Sequence, residues 1–190
     1  MSIWLTSDEH IDHSRIILYC NRPFKDVVEM QSVLIEKHNL VVKKEDIVYH
    51  LGDVSMSEKS VPEYLKQLNG THYLIMGNHD RCHPKYGVKG EETKQRYLQY
   101  GFAGVYQNLH LEGFLLTHMP HSEGGEHGLK YMQYRPVDDG KTWVGHGHCH
   151  RPPETRVRVR LIDVGVDGNN YFPISLDTIK TIRAWYERSI

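Results

Sequence analysis

An α/β fold is what this sequence predicts, and two observations carry the prediction. Short apolar runs alternate with stretches of helical periodicity along the chain. Five of those apolar runs lead directly into Asp, Asn or His. In open α/β sheets, ligands bind at the carboxyl ends of the strands. The 190 residues suffice for one domain with a sizeable core, so residues 1–190 are expected to form a single domain. There is no internal repeat, linker or low-complexity tract.

Each element has its own reason. Ile3-Trp4-Leu5 reads as a short buried strand. Residues 25–39 read as a helix, with Val27, Met30 and Leu34 at helical spacing. Residues 47–51 form a second strand. Ser57 stands where a cap would stand for a helix with Val61, Tyr64, Leu65 and Leu68 on one face, closed by Gly70. Residues 73–76 make a third strand and residues 91–100 a helix closed by Gly101. Residues 114–117, 142–144 and 157–164 are further strands, and residues 175–188 are helical. Arg156, Arg158 and Arg160 alternate with Val157 and Val159, as in a strand with one basic and one apolar face.

Composition narrows the function. A formal net charge of −1 provides no overall positive field, so no clear nucleic-acid surface is expected. Cys20, Cys82 and Cys149 are odd in number and lack CxxC spacing, as expected of reduced thiols in a cytoplasmic protein. No apolar run is long enough to span a bilayer. The start MSIWLTSDEH has acids where a signal peptide needs a basic, then apolar, stretch. Histidine is the anomaly: fourteen against four phenylalanines, many clustered, which points to metal or proton chemistry.

The clusters follow the strands. Asp8 and His10 are two apart, which in an extended segment places both on one face. Gly52 permits a tight turn that projects Asp53, whose two oxygens can bridge two metals. In Gly77-Asn78-His79-Asp80, the asparagine offers a carbonyl oxygen to a metal and the histidine can donate a proton at neutral pH. Asp80 can hold that imidazole in one tautomer. His118 follows the strand at 114–117. In His146-Gly147-His148-Cys149-His150 an extended chain would aim all three imidazoles to one side and Cys149 to the other. Taken singly, most of these are ordinary: a surface pair, a turn aspartate, an Asx turn, a satisfied histidine. Their order and their strand ends make the joint signal strong.

In that order, D-x-H, G-D, G-N-H-D, H and G-H-x-H, the chain resembles the calcineurin-like metallophosphoesterase superfamily over almost its whole length. It is most similar to the small single-domain bacterial and phage-type members. Asn21-Arg22-Pro23-Phe24, Tyr49 to Asp53, Asp163-Val164-Gly165-Val166-Asp167 and Phe172-Pro173-Ile174-Ser175 extend the match. The resemblance implies a four-layer α/β/β/α sandwich of two mixed β-sheets flanked by helices. It also implies two divalent metal ions, with Mn²⁺, Fe or Zn²⁺ suited to the ligand mixture. Asp8 and His10 would bind the first, Asp53 would bridge both, and Asn78 and His118 would bind the second. The G-H-x-H can be placed on His148 and His150 or on His146 and His148. The first placement is preferred because it leaves the strand more room to end.

The implied reaction is hydrolysis of a small phosphate-ester or nucleotide substrate. Two divalent cations exceed the charge of Asp8 and Asp53, attract a phosphate and acidify a water for in-line attack. His79 would protonate the leaving oxygen and Asp80 would orient it. The G-D-x-x-D-R-G of the protein phosphatases is absent from Gly52-Asp53-Val54-Ser55-Met56-Ser57, and little room is left for a nuclease cap domain. A phosphodiesterase is favoured over a nucleotide phosphomonoesterase and over a catalytically silent metal-dependent binding protein. His13, Arg22, Arg81 and His121 flank the motifs as candidate substrate contacts, and residues 131–139 look like a loop near the site.

Overall fold

The computed structural model describes residues 1–122 and 130–189. In chain order the elements are β1 (Ile3–Thr6), α1 (Ser14–Tyr19), α2 (Val27–Val41), β2 (Ile47–His50), α3 (Val61–Leu65), β3 (Thr71–Ile75), α4 (Val88–Gln99), β4 (Gly104–Tyr106), β5 (Asn108–Leu111), β6 (Phe114–Thr117), β7 (Trp143–His146), β8 (Val157–Arg158), β9 (Leu161–Asp163), β10 (Ile174–Ser175) and α5 (Leu176–Arg188). They form two five-stranded sheets, ordered β10-β1-β2-β3-β4 and β5-β6-β7-β9-β8. Each sheet is mixed: β10, β5 and β8 pair antiparallel to their neighbours and the other pairings are parallel.

Burial explains the layering. Leu5, Tyr49, Leu51 and Ile75 from the first sheet meet Phe114, Leu116, Trp143 and Ile162 from the second, and α5 adds Leu176 and Ile179. The opposite face of the first sheet packs Leu74 and Val105 against Ile16 of α1, Met30 and Leu34 of α2, Val61 and Tyr64 of α3 and Tyr97 of α4. The fold is therefore the α/β arrangement expected: two mixed sheets face to face, flanked by helices. Each large side chain fully buried in these clusters contributes on the order of 1.5–3 kcal/mol.

Several boundaries differ from expectation for local reasons. The second helix begins at Val27 because the Asp26 carboxylate caps it, accepting from Glu29 N at 2.9 Å. Ser57 does not cap a helix: it precedes a 3₁₀ turn, Glu58–Ser60, with no side-chain capping bond, and the helix proper starts at Val61. The strand expected over residues 157–164 is two short antiparallel strands. Arg160, in the left-handed region at φ 56°, turns between them. The single basic face expected for Arg156, Arg158 and Arg160 therefore does not form. Arg160 Nη2 donates to both carboxylate oxygens of Asp138, at 2.9 and 3.0 Å, and Arg156 bonds Asn169.

The parallel register positions the turns beyond the strands. Thr6 lies beside His50 and His50 beside Leu74, so Ser7-Asp8, Gly52-Asp53 and Gly77-Asn78 leave the sheet at one edge. Leu116 lies beside Gly145, so His118 and the segment after His146 leave the second sheet together. Beneath that edge runs a buried chain of titratable groups that the sequence did not suggest. Glu9 Oε1 is 2.6 Å from His50 Nδ1, and His50 Nε2 is 3.0 Å from His72 Nδ1. Burial pushes Glu9 up to about 7 and His50 down to about 3, favouring the neutral form of both.

Candidate metal centre

The turns that leave the sheets use backbone conformations uncommon for residues with a Cβ. Asp8, His10, Asp53, His148 and His150 all lie in the left-handed region, at φ 61°, 52°, 55°, 69° and 48°. Each such residue costs about 1–2 kcal/mol, and strain of this kind concentrates at functional sites. Neighbouring backbone holds the turns in place. Asp8 N donates to Gly52 O and His10 N to Asp53 O, both at 3.0 Å, and Ile11 N donates to Val54 O at 2.9 Å. Gly52 and Gly77 let two of the turns touch, since a Cβ on Gly52 would stand 2.5 Å from Gly77 Cα.

These turns bring the expected ligands into two groups. Asp8, His10 and His150 form one, and Asp53, His118 and His148 the other. Within each, the potential donor atoms all lie within 4.8 Å of one another. Asp53 Oδ2 reaches toward both, 3.8 Å from His10 Nε2 and 3.4 Å from His118 Nε2. Asn78 Oδ1 is 3.1 Å from His118 Nε2, which adds an amide oxygen to the second group. All seven residues expected as ligands thus converge.

The segment from His146 to His150, however, does not run extended with three imidazoles on one side. The left-handed residues His148 and His150 break the alternation and send these two rings to different groups. His146 stays at the end of β7, fully buried, with Nδ1 2.8 Å from Gly147 O. It groups instead with Cys149 and Asp163. Among the two placements of the motif, this geometry favours His148 and His150.

The donor set fits a metal. Asp8 Oδ1 and His10 Nε2 are buried and have no hydrogen-bond partner among the described residues. Unpaired buried polar atoms are costly, and a cation would satisfy both. The surrounding bonds also select the right tautomers. His118 Nδ1 donates to Leu51 O at 2.7 Å, which leaves Nε2 facing Asp53 and Asn78. His150 Nδ1 donates to Asp167 Oδ2 at 2.8 Å, and its Nε2 lies 3.9 Å from Asp8 Oδ1. Burial opposes charge on His118, yet Asp53 beside it holds its pKa up at about 9. Burial raises Asp8 to about 6. A divalent cation here would replace such protons, so its binding would tighten as pH rises.

Two residues beyond the ligands hold this shell. Arg22, a candidate substrate contact by its sequence position, is instead buried. Its Nε and Nη2 each lie 2.8 Å from Asp167, and Nη2 and Nη1 also donate to the carbonyls of Asp8 and Glu9 at 2.7 and 3.1 Å. It ties the Asp8 turn to the carboxylate that orients His150. Asp167, not anticipated as a site residue, lies in one of the segments that extend the family match. Partners of this kind usually set metal affinity within a factor of about 10–100. Asp167→Ala is therefore expected to weaken metal binding by about 10–100-fold, measured by competition with a chromogenic chelator. Unchanged affinity would reduce Asp167 to a packing residue.

Asp80 also departs from its expected role. Its buried carboxylate accepts from Asp53 N at 2.9 Å, Val54 N at 3.2 Å and Gly77 N at 2.7 Å. Among the described residues neither oxygen bonds the His79 imidazole, so Asp80 shapes the Gly52 and Gly77 turns. Burial, then the adjacent Asp53, raises it to about 7. His79 is half-exposed; its N donates to Asp53 Oδ1 at 2.7 Å and its Nε2 is 3.9 Å from Asp53 Oδ2.

The two groups form the floor of a cleft of about 760 Å³. His13 lines it, with Nδ1 3.4 Å from His10 Nδ1. Tyr19, Cys20, Met56, Lys130 and Tyr131 complete the rim. Of the loop expected over residues 131–139, Tyr131 reaches the cleft while Asp138 pairs with Arg160. His121 is turned away from the cleft, its Nδ1 3.8 Å from Asp138.

Comparison with known proteins supplies an independent finding. The model of the calcineurin-like phosphoesterase superfamily domain matches residues 1–170. The uncharacterized protein MJ1445 of Methanocaldococcus jannaschii is 37% identical over 185 residues, covering 93% of this chain and 88% of its own. The Gene 66 protein of Mycobacterium phage L5 is 32% identical over 184 residues, covering 86% of each. Among solved structures, a protein of unknown function from Aquifex aeolicus, AQ665, superposes with a TM-score of 0.71 at 25% identity. That match covers 95% of this chain and 98% of the other.

Proposed function

The chain belongs to the calcineurin-like phosphoesterase superfamily, and on that premise we propose that it hydrolyses a phosphodiester with two divalent metal ions held by its own side chains. The observation that carries this reading is the meeting of two ligand groups at Asp53. Asp8, His10 and His150 would hold one ion, Asn78, His118 and His148 the other, and Asp53 would serve both. Carboxylate, imidazole and amide together suit Mn²⁺, Fe or Zn²⁺. When bound, the two ions supply the positive charge that attracts a phosphate and lowers the pKa of a water.

The protein's own contribution is positioning and proton transfer. His79 stands at the open side of the site, where its imidazole can reach a leaving group. As a water gives up a proton to bulk solvent and its oxygen bonds to phosphorus, the opposite P–O bond breaks and His79 gives its proton to the departing oxygen. The cleft is large and partly lined by Ile16, Tyr19, Met56 and Tyr131. Such walls suit an ester with organic groups on both sides, which favours a diester over a monoester. The same reading takes residues 1–190 as one domain. Among the described residues no helix is long and apolar enough to cross a membrane. The thiols of Cys20 and Cys82 form no disulfide among the described residues, in keeping with a reducing, cytoplasmic setting.

Metal reconstitution tests the reading. Metal-stripped protein is assayed on bis(p-nitrophenyl) phosphate and on p-nitrophenyl phosphate, with Mn²⁺, Zn²⁺, Ni²⁺ or Mg²⁺ added in turn. Turnover should return with Mn²⁺ or Zn²⁺ and be faster on the diester. Two bound ions per chain with no turnover of either ester would sink it.

A further inference from the structure

A second groove, of about 430 Å³, adjoins the catalytic cleft, and Met56 lines both. One wall is a single face of α4, with Lys89, Thr93 and Arg96 at i, i+4 and i+7. The turn at 57–59 makes the facing wall, and Arg81 and Tyr86 close one end. The groove is strongly unbalanced in charge. Glu58 is the acid in its lining and is already paired with Arg96, 3.1 Å away. Lys59, Arg81 and Lys89 are exposed, and among the described residues no carboxylate pairs with any of them. Arg81 lies over the Tyr86 ring, 5.5 Å from its centroid, and Lys85 adds a further cation 4.8 Å from that ring. On a chain of net charge −1, a contiguous patch of this sign is local and specific.

Its place relative to the reaction gives it a meaning. His79 lines the catalytic cleft, and Arg81, two residues on, lines the groove. A leaving group that takes its proton from His79 would stand beside the groove that Met56 and Arg81 border. We infer that the groove binds the leaving-group side of the substrate, and that this side carries at least one phosphate of its own. The inference rests on the proposed phosphodiesterase reading and adds the substrate's second anionic group. That chemistry is offered by a nucleotide strand and by a pyrophosphate-linked nucleotide.

Charge reversal on the rim tests it. Lys59→Glu/Lys89→Glu changes two exposed side chains, and its kcat/KM relative to the parent is measured, with Mn²⁺ present, on three substrates. The p-nitrophenyl ester of thymidine 5′-phosphate expels a ring that carries no phosphate; diadenosine triphosphate and oligothymidylates of three or more nucleotides can expel phosphorylated groups. The expected result is a loss at least about tenfold larger on the phosphorylated substrates than on the aryl ester, mostly in KM and shrinking with added salt. A loss confined to diadenosine triphosphate identifies a pyrophosphate-linked ligand; one that grows with oligothymidylate length identifies a strand. Equal losses on all three substrates, or none, would overturn the inference. Parent enzyme that cleaves the aryl ester but neither phosphorylated substrate would also overturn it, leaving the phosphodiesterase reading intact. Metal-loaded parent that fails on the aryl ester and on both others would remove that reading and the groove with it.

Discussion

Asp53→Asn is expected to cost metal-dependent turnover at least about a thousandfold, a loss of roughly 4 kcal/mol in transition-state stabilisation. The substitution keeps the side chain's shape and removes its charge. Asp53 is the residue whose oxygen approaches both ligand groups. Its charge also opposes the cost of burying His118, which in turn keeps the Asp53 carboxyl well below its ordinary pKa despite burial. Without that charge both groups lose an anionic ligand together. The check pairs kcat/KM on an aryl phosphodiester with metal content by mass spectrometry and a circular dichroism spectrum. Folded Asp53→Asn that retains two ions and near-parental turnover would remove Asp53 as the shared ligand.

His79→Ala should behave differently. Turnover is expected to fall by at least about 100-fold, with metal content unchanged, because the ring is half-exposed and belongs to neither ligand group. The leaving group supplies the diagnostic. A nitrophenolate departs readily without a proton, so the loss should be smaller there than for an alkoxide leaving group. A uniform loss across leaving groups would point to a positioning role, and parental turnover would exclude His79 from the reaction. The backbone bond from His79 N to Asp53 Oδ1 survives the substitution, so the Asp53 turn should keep its shape.

Much of the site is legible in the sequence because its chemistry is written in short strings at strand ends. Parallel pairing of β1, β2 and β3 delivers Asp8, Asp53 and Asn78 to one edge, and that pairing follows from apolar runs spaced by helical segments. The choice between His146 and His148 with His150 is harder to read, since alternation along an extended chain treats all three rings alike. Left-handed backbone at His148 and His150 separates them. Asp80 misleads for a related reason. Adjacency to His79 suggests a pair, whereas three backbone N–H groups from two turns claim its carboxylate. Arg22 and Asp167 are 145 positions apart, and nothing local announces their bidentate pair.

The α/β class, the order of the strands that carry the ligands and the donor types available to a metal are thus legible from residue order alone. These depend on periodicity and on residue chemistry, which are local. Packing of distant segments sets which imidazole joins which group, which carboxylate orients His150, what Asp80 holds, and where positive charge gathers beside the cleft. Those depend on left-handed turns and on contacts between distant segments. The Asp8 and His10 turn is completed by the backbone of Gly52 and Asp53, the Gly52 and Gly77 turns by the Asp80 carboxylate, and His148 N by Asp8 Oδ2.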